Sequence, residues 1–317
     1  MKSRLTDRLT LFGYTGGWSA VRHLPDRVAY ATFRSFADLA WRRRGVSVRR
    51  LEANLARAIG TTDPATVREL SREGMRSYLR YWCDAFRLPD WTMDRIVSRV
   101  DVVGEDNMRV PLATGRGVVA ALPHMANWDH GGAWACLTGA PVTTVAERLE
   151  PEALFERFLG YREGLGMEIL PLTGGQSDLF TTLAVRLREP RLVPLLADRD
   201  LSRRGVDVRL FGEATRMPAG PAALTLRTGA ALLPTSLWYE GDEPDHRVVI
   251  RFHPEVEPPR TLRGAERVAA LTQSVADELG PAIAAHPQDW HMLQPLFLAD
   301  LTPTGDRPGS LRSEASR

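Results

Sequence analysis

Residues 8–58 carry apolar side chains at helical spacing, through Leu11, Val21, Ala29, Phe33, Phe36 and Leu39, then Val48, Leu51, Leu55 and Ile59, with Pro25 interrupting the first run. Recurrence at three and four residues puts these side chains on one face, so the stretch predicts amphipathic helices broken at the proline. A second helical zone covers roughly 64–87. Within the first zone Trp18, Tyr30, Phe33, Phe36 and Trp41 lie close to Arg34, Arg42, Arg43 and Arg44. That mixture suits a helix lying on a membrane surface, and it equally suits a core-facing helix with a solvated basic end; the pattern alone does not choose.

From about residue 101 the grain changes to apolar runs alternating with amphipathic segments, which predicts a mixed α/β core with crossover connections. Residues 117–122 (GVVAAL) form a continuous apolar run suited to a strand buried on both faces. A helix should follow, with Asn127 as its N-cap and Gly139 as its stop. Further strands are expected at 141–146, 192–197, 206–211, 230–239 and 248–252, and helices at 151–164, from Ser177 to about Arg188, at 218–228 and at 263–285. After Leu301 the chain reads PTGDRPGSLRSEASR, too poor in apolar surface to pack, so a disordered tail is expected over 301–317. The division expected is an N-terminal helical region over 1–100, an α/β core over 101–300, and that tail. No internal repeat is visible.

Composition narrows the function. With 317 residues, 44% apolar and 25% charged, the chain reads as an ordinary folded protein of enzyme size. A net charge of +2 gives no reason to expect a nucleic-acid partner. Lys2 is the only lysine, which removes a Walker-type phosphate loop, Schiff-base chemistry and an internal lysine base. Cys83 and Cys136 have no metal-ligand spacing and read as buried free thiols. No secretory signal pattern is seen and no stretch approaches the roughly 20 apolar residues of a membrane span, so a cytosolic or peripheral protein on the inner face of a membrane is expected.

The segment richest in chemistry is Leu122-Pro123-His124-Met125-Ala126-Asn127-Trp128-Asp129-His130. His124 follows a buried strand at its C-terminal edge, where open α/β sheets place their ligand sites, and Asp129 falls in the first turn of the next helix. On one continuous helix, positions five apart point about 140° away from each other, but a loop-to-helix junction lets Asp129 fold back toward His124. The carboxylate could then hold one ring nitrogen and leave the other as a base. The bland alternative is a structural histidine beside a helix-start carboxylate. Nothing here has zinc-site spacing, so no metal is expected.

His124 and Asp129 resemble the His-x-x-x-x-Asp motif of glycerolipid-type acyltransferases. With Asn54-Leu55, with Asp198-Arg199-Asp200 before Gly205, and with the closing His286-Pro287-Gln288-Asp289-Trp290, the chain over roughly 10–297 is similar to the bacterial lipid A lauroyl/myristoyl acyltransferase family. The Ala-Asp-Arg-Asp-Leu wording and the arginine bias look most like its actinobacterial branch, the phosphatidylinositol mannoside acyltransferases. The resemblance implies a central mixed, mostly parallel sheet flanked by helices. It implies a peripheral protein on the cytoplasmic face of the cell membrane that moves an acyl chain from acyl-CoA, as co-substrate and without a cofactor, to a mannose hydroxyl of a glycolipid acceptor.

Carried over residue by residue, the resemblance makes His124 the general base and Asp129 its orienter. It makes Asp198 a second acid on the histidine, with Asp200 and Glu147 behind it. Arg162 and Arg199 are assigned to phosphate or to the acidic cluster, Asn127 to the helix cap on the substrate-binding side, and Trp128 to the wall, neither of these two as a catalyst. As alternatives, Asp198-Arg199-Asp200 reads as a self-paired surface turn and Arg162 as a solvated helix residue. Where glycerol-phosphate acyltransferases carry Pro-Glu-Gly, this chain has Pro218-Ala219-Gly220, which argues against glycerol 3-phosphate as acceptor. His286 and Trp290 are expected to be structural. An esterase or thioesterase using the same histidine to activate water, and a lipid-binding protein without catalysis, remain as other readings; the lack of a Gly-x-Ser-x-Gly elbow weakens a serine hydrolase.

Overall fold

The computed structural model describes residues 21–147, 152–172, 178–200, 205–257 and 261–301, with nothing said of the side chains of Ala153, Leu154 and Arg157. The expected helical stretch before residue 21, with Leu11 and Trp18, the Ser177 cap and the tail beyond Leu301 lie outside them.

Helices come first: α1 (Asp26–Arg43), α2 (Val46–Ala58), α3 (Pro64–Arg87) and the short α4 (Met93–Ser98). Pro25 caps α1, and Arg44 ends it in the left-handed region at φ 47°. Asp63 caps α3 by accepting from the backbone N–H of Thr66, with Pro64 at the first helical position, where its missing N–H costs nothing. The aromatic residues of α1 divide between two faces. Tyr30 and Phe33 are buried, whereas Phe36 is 56% exposed beside Val28 and Leu39. Trp41 is no surface anchor: the guanidinium of Arg68 lies 3.7 Å from its ring centroid and its indole donates to Ser71.

The rest alternates: β1 (Val100–Val103), α5 (Glu105–Ala113), β2 (Val118–Leu122), α6 (Trp128–Leu137), β3 (Thr143–Ala146), α7 (Glu152–Gly164), β4 (Glu168–Pro171), α8 (Leu179–Arg186), β5 (Leu192–Leu196), β6 (Val206–Leu210), β7 (Glu213–Met217), α9 (Gly220–Thr228), β8 (Ala231–Glu240), β9 (Arg247–Phe252) and α10 (Gly264–Ala285). Five strands form the central sheet in the order β1-β9-β8-β2-β5. All its pairings are parallel except the β8–β9 hairpin, so the sheet is mixed and mostly parallel. Asp178 caps α8, its carboxylate accepting from the N–H of Thr181.

The sheet is continued by β3 and β4 through one bridge, Val142 with Leu192. Pro194, in the middle of β5, has no N–H to offer, so the ladder stops and the Thr144 hydroxyl donates to the Pro194 carbonyl instead, at 2.7 Å. β2, by contrast, is buried at every position and hydrogen-bonded on both sides, as a continuous apolar run predicts. The hydrophobic core runs from Leu51, Leu55 and Met75 on the helices into β2, β8 and β9 without a gap. A buried polar knot ties the helices to the sheet hairpin: Asp84 on α3 accepts from Tyr30 at 2.5 Å and is bonded to His246 at 3.0 Å.

Two close approaches set where the loop after β2 emerges. A Cβ on Gly117, just before β2, would stand 2.4 Å from the Leu187 carbonyl oxygen and 2.9 Å from its Cα. A Cβ on Gly132, in α6, would stand 2.5 Å from the sulfur of Met167. Because the obstruction at Gly117 is backbone, Gly117→Ala should force β2 and α8 apart and lower stability by about 1–3 kcal/mol, read as a drop of several degrees in the thermal midpoint; an unchanged midpoint would show that the contact is not tight.

Candidate active site

His124 lies two residues past the end of β2 and Asp198 two residues past the end of β5. The two strands are parallel neighbours with Leu122 opposite Leu196, so the register itself brings the two side chains together. Nδ1 of His124 is 2.6 Å from Oδ1 of Asp198, and the backbone N–H of His124 donates to Oδ2 at 3.0 Å. A third donor, the indole N–H of Trp290, reaches Oδ2 at 2.9 Å. Asp198 is 1% exposed. Burial alone would raise its pKa, but the charge of His124 and the three hydrogen bonds hold it below the usual carboxylate range. An ionised carboxylate only accepts, so Nδ1 is the donor in this bond and Nε2 is the ring nitrogen free of it, on a side chain that keeps 24% of its surface accessible.

Residues after the closing turn hold the histidine's backbone. Trp290 bridges Met125, the N–H of Ala126 donates to the Asp289 carbonyl at 3.0 Å, and the N–H of His291 donates to the His124 carbonyl at 2.7 Å. Ala126 is thereby kept at φ 44°, a left-handed conformation that an alanine adopts only under constraint. Asn127 then caps α6, accepting from the N–H of His130 at 2.9 Å.

The structure brings Asp198, and not Asp129, into hydrogen-bond contact with His124. As the second residue of α6 Asp129 points away from the turn, toward α7 and α3, where Arg162 donates to it at 2.7 Å and the hydroxyl of Tyr81 at 3.1 Å. The pair is buried, with Asp129 at 2% exposure, so the guanidinium offsets a charge that would otherwise be costly, and Arg162 is not the solvated helix residue of the bland reading. The geometry still links Asp129 to the histidine indirectly, because Tyr81 stacks on Trp128 at 4.7 Å and Trp128 meets the His124 ring edge-on at 6.0 Å.

The remaining candidates separate from this centre. Asp200 accepts from the Gly205 N–H at 2.8 Å. Glu147 is exposed just past β3. Arg199 keeps a buried Nε without a hydrogen-bond partner, and so does the side-chain amide nitrogen of Asn127. Among the described residues no group of three His, Cys, Asp or Glu side chains could hold a metal ion, and no helix is long and apolar enough to cross a membrane. Sequence reasoning treated Trp290 as structural and missed its bond to Asp198; His286, from the same motif, stacks on Trp238 at 4.3 Å.

Over residues 1–299 the chain matches the bacterial lipid A biosynthesis acyltransferase family. It belongs to that family. It is 47% identical over 298 residues to the phosphatidylinositol mannoside acyltransferase of Mycolicibacterium smegmatis (strain ATCC 700084 / mc(2)155), covering 94% of each chain. To the protein of the same name from Mycobacterium tuberculosis (strain CDC 1551 / Oshkosh) it is 45% identical over 314 residues, covering 98% of this chain and 95% of the relative. The chain is therefore an acyltransferase, and His124, Asp198 and the Asp129–Arg162 pair lie within the matched region.

Two other histidines near the centre are kept neutral by burial: His130, lowered to about 4, and His291, lowered to about 3. Folded-state values below the ordinary one mean that the unfolded chain takes up protons first, so stability should fall as pH drops from about 6.5 toward 4.5, by about 1.4 kcal/mol per pH unit for each buried histidine. Asp289, whose pKa burial raises, opposes this by at most one proton. Denaturant unfolding at several pH values measures the slope; His291→Gln should flatten it, and an equally steep slope in that variant would remove His291 from the account.

Proposed function

We propose that this protein transfers a fatty acyl chain from acyl-CoA to a hydroxyl of a membrane glycolipid, a mannose of phosphatidylinositol mannoside, with His124 as general base and Asp198 as its orienter. The observation that carries the reading is the 2.6 Å bond from His124 to a buried, ionised carboxylate, which leaves Nε2 free. The names of the relatives supply the acceptor.

In the proposed reaction the acceptor hydroxyl gives its proton to Nε2 as its oxygen attacks the thioester carbonyl. The tetrahedral intermediate collapses with cleavage of the carbon–sulfur bond, and the thiolate takes the proton back from the imidazolium. Asp198 stabilises that imidazolium while staying ionised. No acyl-enzyme is needed, and among the described residues no serine or cysteine side chain is hydrogen-bonded to the His124 ring. Cys83 is buried, which raises its thiol pKa and keeps it from acting as a nucleophile.

Placement on the cytoplasmic face of the membrane is supported by the outer face of α1, where Phe36, Leu39 and Val28 are exposed among Arg27, Arg34, Arg42 and Arg43. Apolar side chains can enter the headgroup boundary while the arginines meet anionic lipid.

The test is mass spectrometry of vesicles containing phosphatidylinositol mannoside after incubation with palmitoyl-CoA. Acylated glycolipid is expected, and free fatty acid alone would indicate a hydrolase. General-base assistance is worth about 10²–10⁴-fold, so His124→Ala should lose at least about 100-fold of transfer while keeping its thermal midpoint. A folded His124→Ala protein with near-normal transfer would exclude the mechanism.

A further inference from the structure

The carboxylate of Asp198 takes three N–H donors, and two of them belong to His124 itself. The third, the Trp290 indole, comes from 92 residues further along the chain. We propose that Trp290 is a positioning residue of the reaction, its indole N–H fixing the plane of the Asp198 carboxylate and moderating the charge that this carboxylate presents to His124. The inference rests on His124 being the base.

The tryptophan is built to stay still. It is fully buried, its backbone N–H donates to the Pro287 carbonyl at 3.1 Å, its backbone bridges Met125, and Phe211 packs edge-on against its ring at 5.6 Å. A donor held this way fixes where Oδ2 can be. Oδ1, at the other end of the same rigid group, is then aimed at Nδ1, and the imidazole ring with it. Without the indole, Oδ2 keeps only the His124 backbone donor, and the carboxylate can swing.

The second effect is electrostatic. A hydrogen bond to an ionised oxygen draws charge away from it, so Asp198 with its indole donor holds an imidazolium less tightly than Asp198 without it. Both states matter for transfer: the ring must be neutral to accept the hydroxyl proton, and its proton must be free to leave with the thiolate. Removing the indole N–H therefore concentrates charge on the carboxylate, strengthens its hold on the imidazolium and slows return of the proton.

Trp290→Phe keeps a ring in the same space and removes the donor. Expected is a fall in kcat of about tenfold with KM for both substrates nearly unchanged, and a shift of the acidic limb of the kcat/KM profile to higher pH by about half a unit to one unit. Phe211→Leu, which loosens the packing and leaves the indole donor, should lower the thermal midpoint without moving that limb. A wild-type limb and kcat in folded Trp290→Phe, or an equal limb shift in Phe211→Leu, would overturn the proposal. If Trp290→Phe does not fold, the indole N–H of the unsubstituted protein is followed by NMR, assigned through its contacts to Phe211. It should titrate with the acidic limb, and a resonance that does not move overturns the proposal. His124→Ala in the same assay separates the two levels: activity in that variant removes the base, whereas an inactive His124→Ala beside an unaltered Trp290→Phe removes only the tryptophan's part.

Discussion

The arrangement depends on one pairing, that of β2 with β5. Parallel neighbours end at the same edge of a sheet, and here Leu122 stands opposite Leu196, so the second residue beyond each strand is forced into hydrogen-bond range of the other. One is a histidine and the other an aspartate. Pro123 ends β2 by offering no N–H for a further ladder bond, and Ala197 closes the pair by donating to the Leu122 carbonyl at 2.8 Å. A one-residue slip would send both side chains to opposite faces and dissolve the centre, which is why the apolar packing of β2 on both faces matters to chemistry as well as to stability.

Around this pair the protein buries several carboxylates, and each has its own answer to the cost of desolvation. Asp198 is met by His124 and Trp290, Asp129 by Arg162 and Tyr81, Asp84 by His246 and Tyr30, and Asp289 by Ser77 and the Tyr239 backbone N–H. Three of the four lie on the path from α3 through Trp128 or Asp289 to His124. Losing one partner would leave a buried charge or polar group unsatisfied, a far larger penalty than the modest net worth of the bond itself. The helical region thus holds the His124 edge of the sheet in place from one side, while the exposed face of α1 looks outward.

Much of this was legible along the chain. The GVVAAL run, the Asn127 cap and the placing of His124 and Asp198 at strand ends follow from apolar runs and helix-start chemistry alone. What the sequence could not supply was register and tertiary direction. Asp129 sits close to His124 in sequence and so attracted the orienting role, but the left-handed turn at Ala126 aims the histidine at β5 and leaves Asp129 facing Arg162. Trp290 is invisible as a partner of Asp198 because nothing local predicts a contact across 92 residues. Short pieces such as β1, β4 and β7 were missed for a related reason: each has only four or five residues, and such pieces are strands through their neighbours rather than through their own periodicity. Similarly, the aromatic and arginine mixture of α1 could be sorted only once packing showed Tyr30 and Phe33 inward and Phe36 outward.

The central claim is that the carboxylate on His124 is that of Asp198. Nuclear magnetic resonance of protein labelled with ¹⁵N-histidine tests it most directly, through the Nδ1 proton of His124. The account predicts a strongly deshielded proton on Nδ1, a signature lost in Asp198→Asn and kept in Asp129→Asn. A signal that survives in Asp198→Asn and disappears in Asp129→Asn would contradict the account.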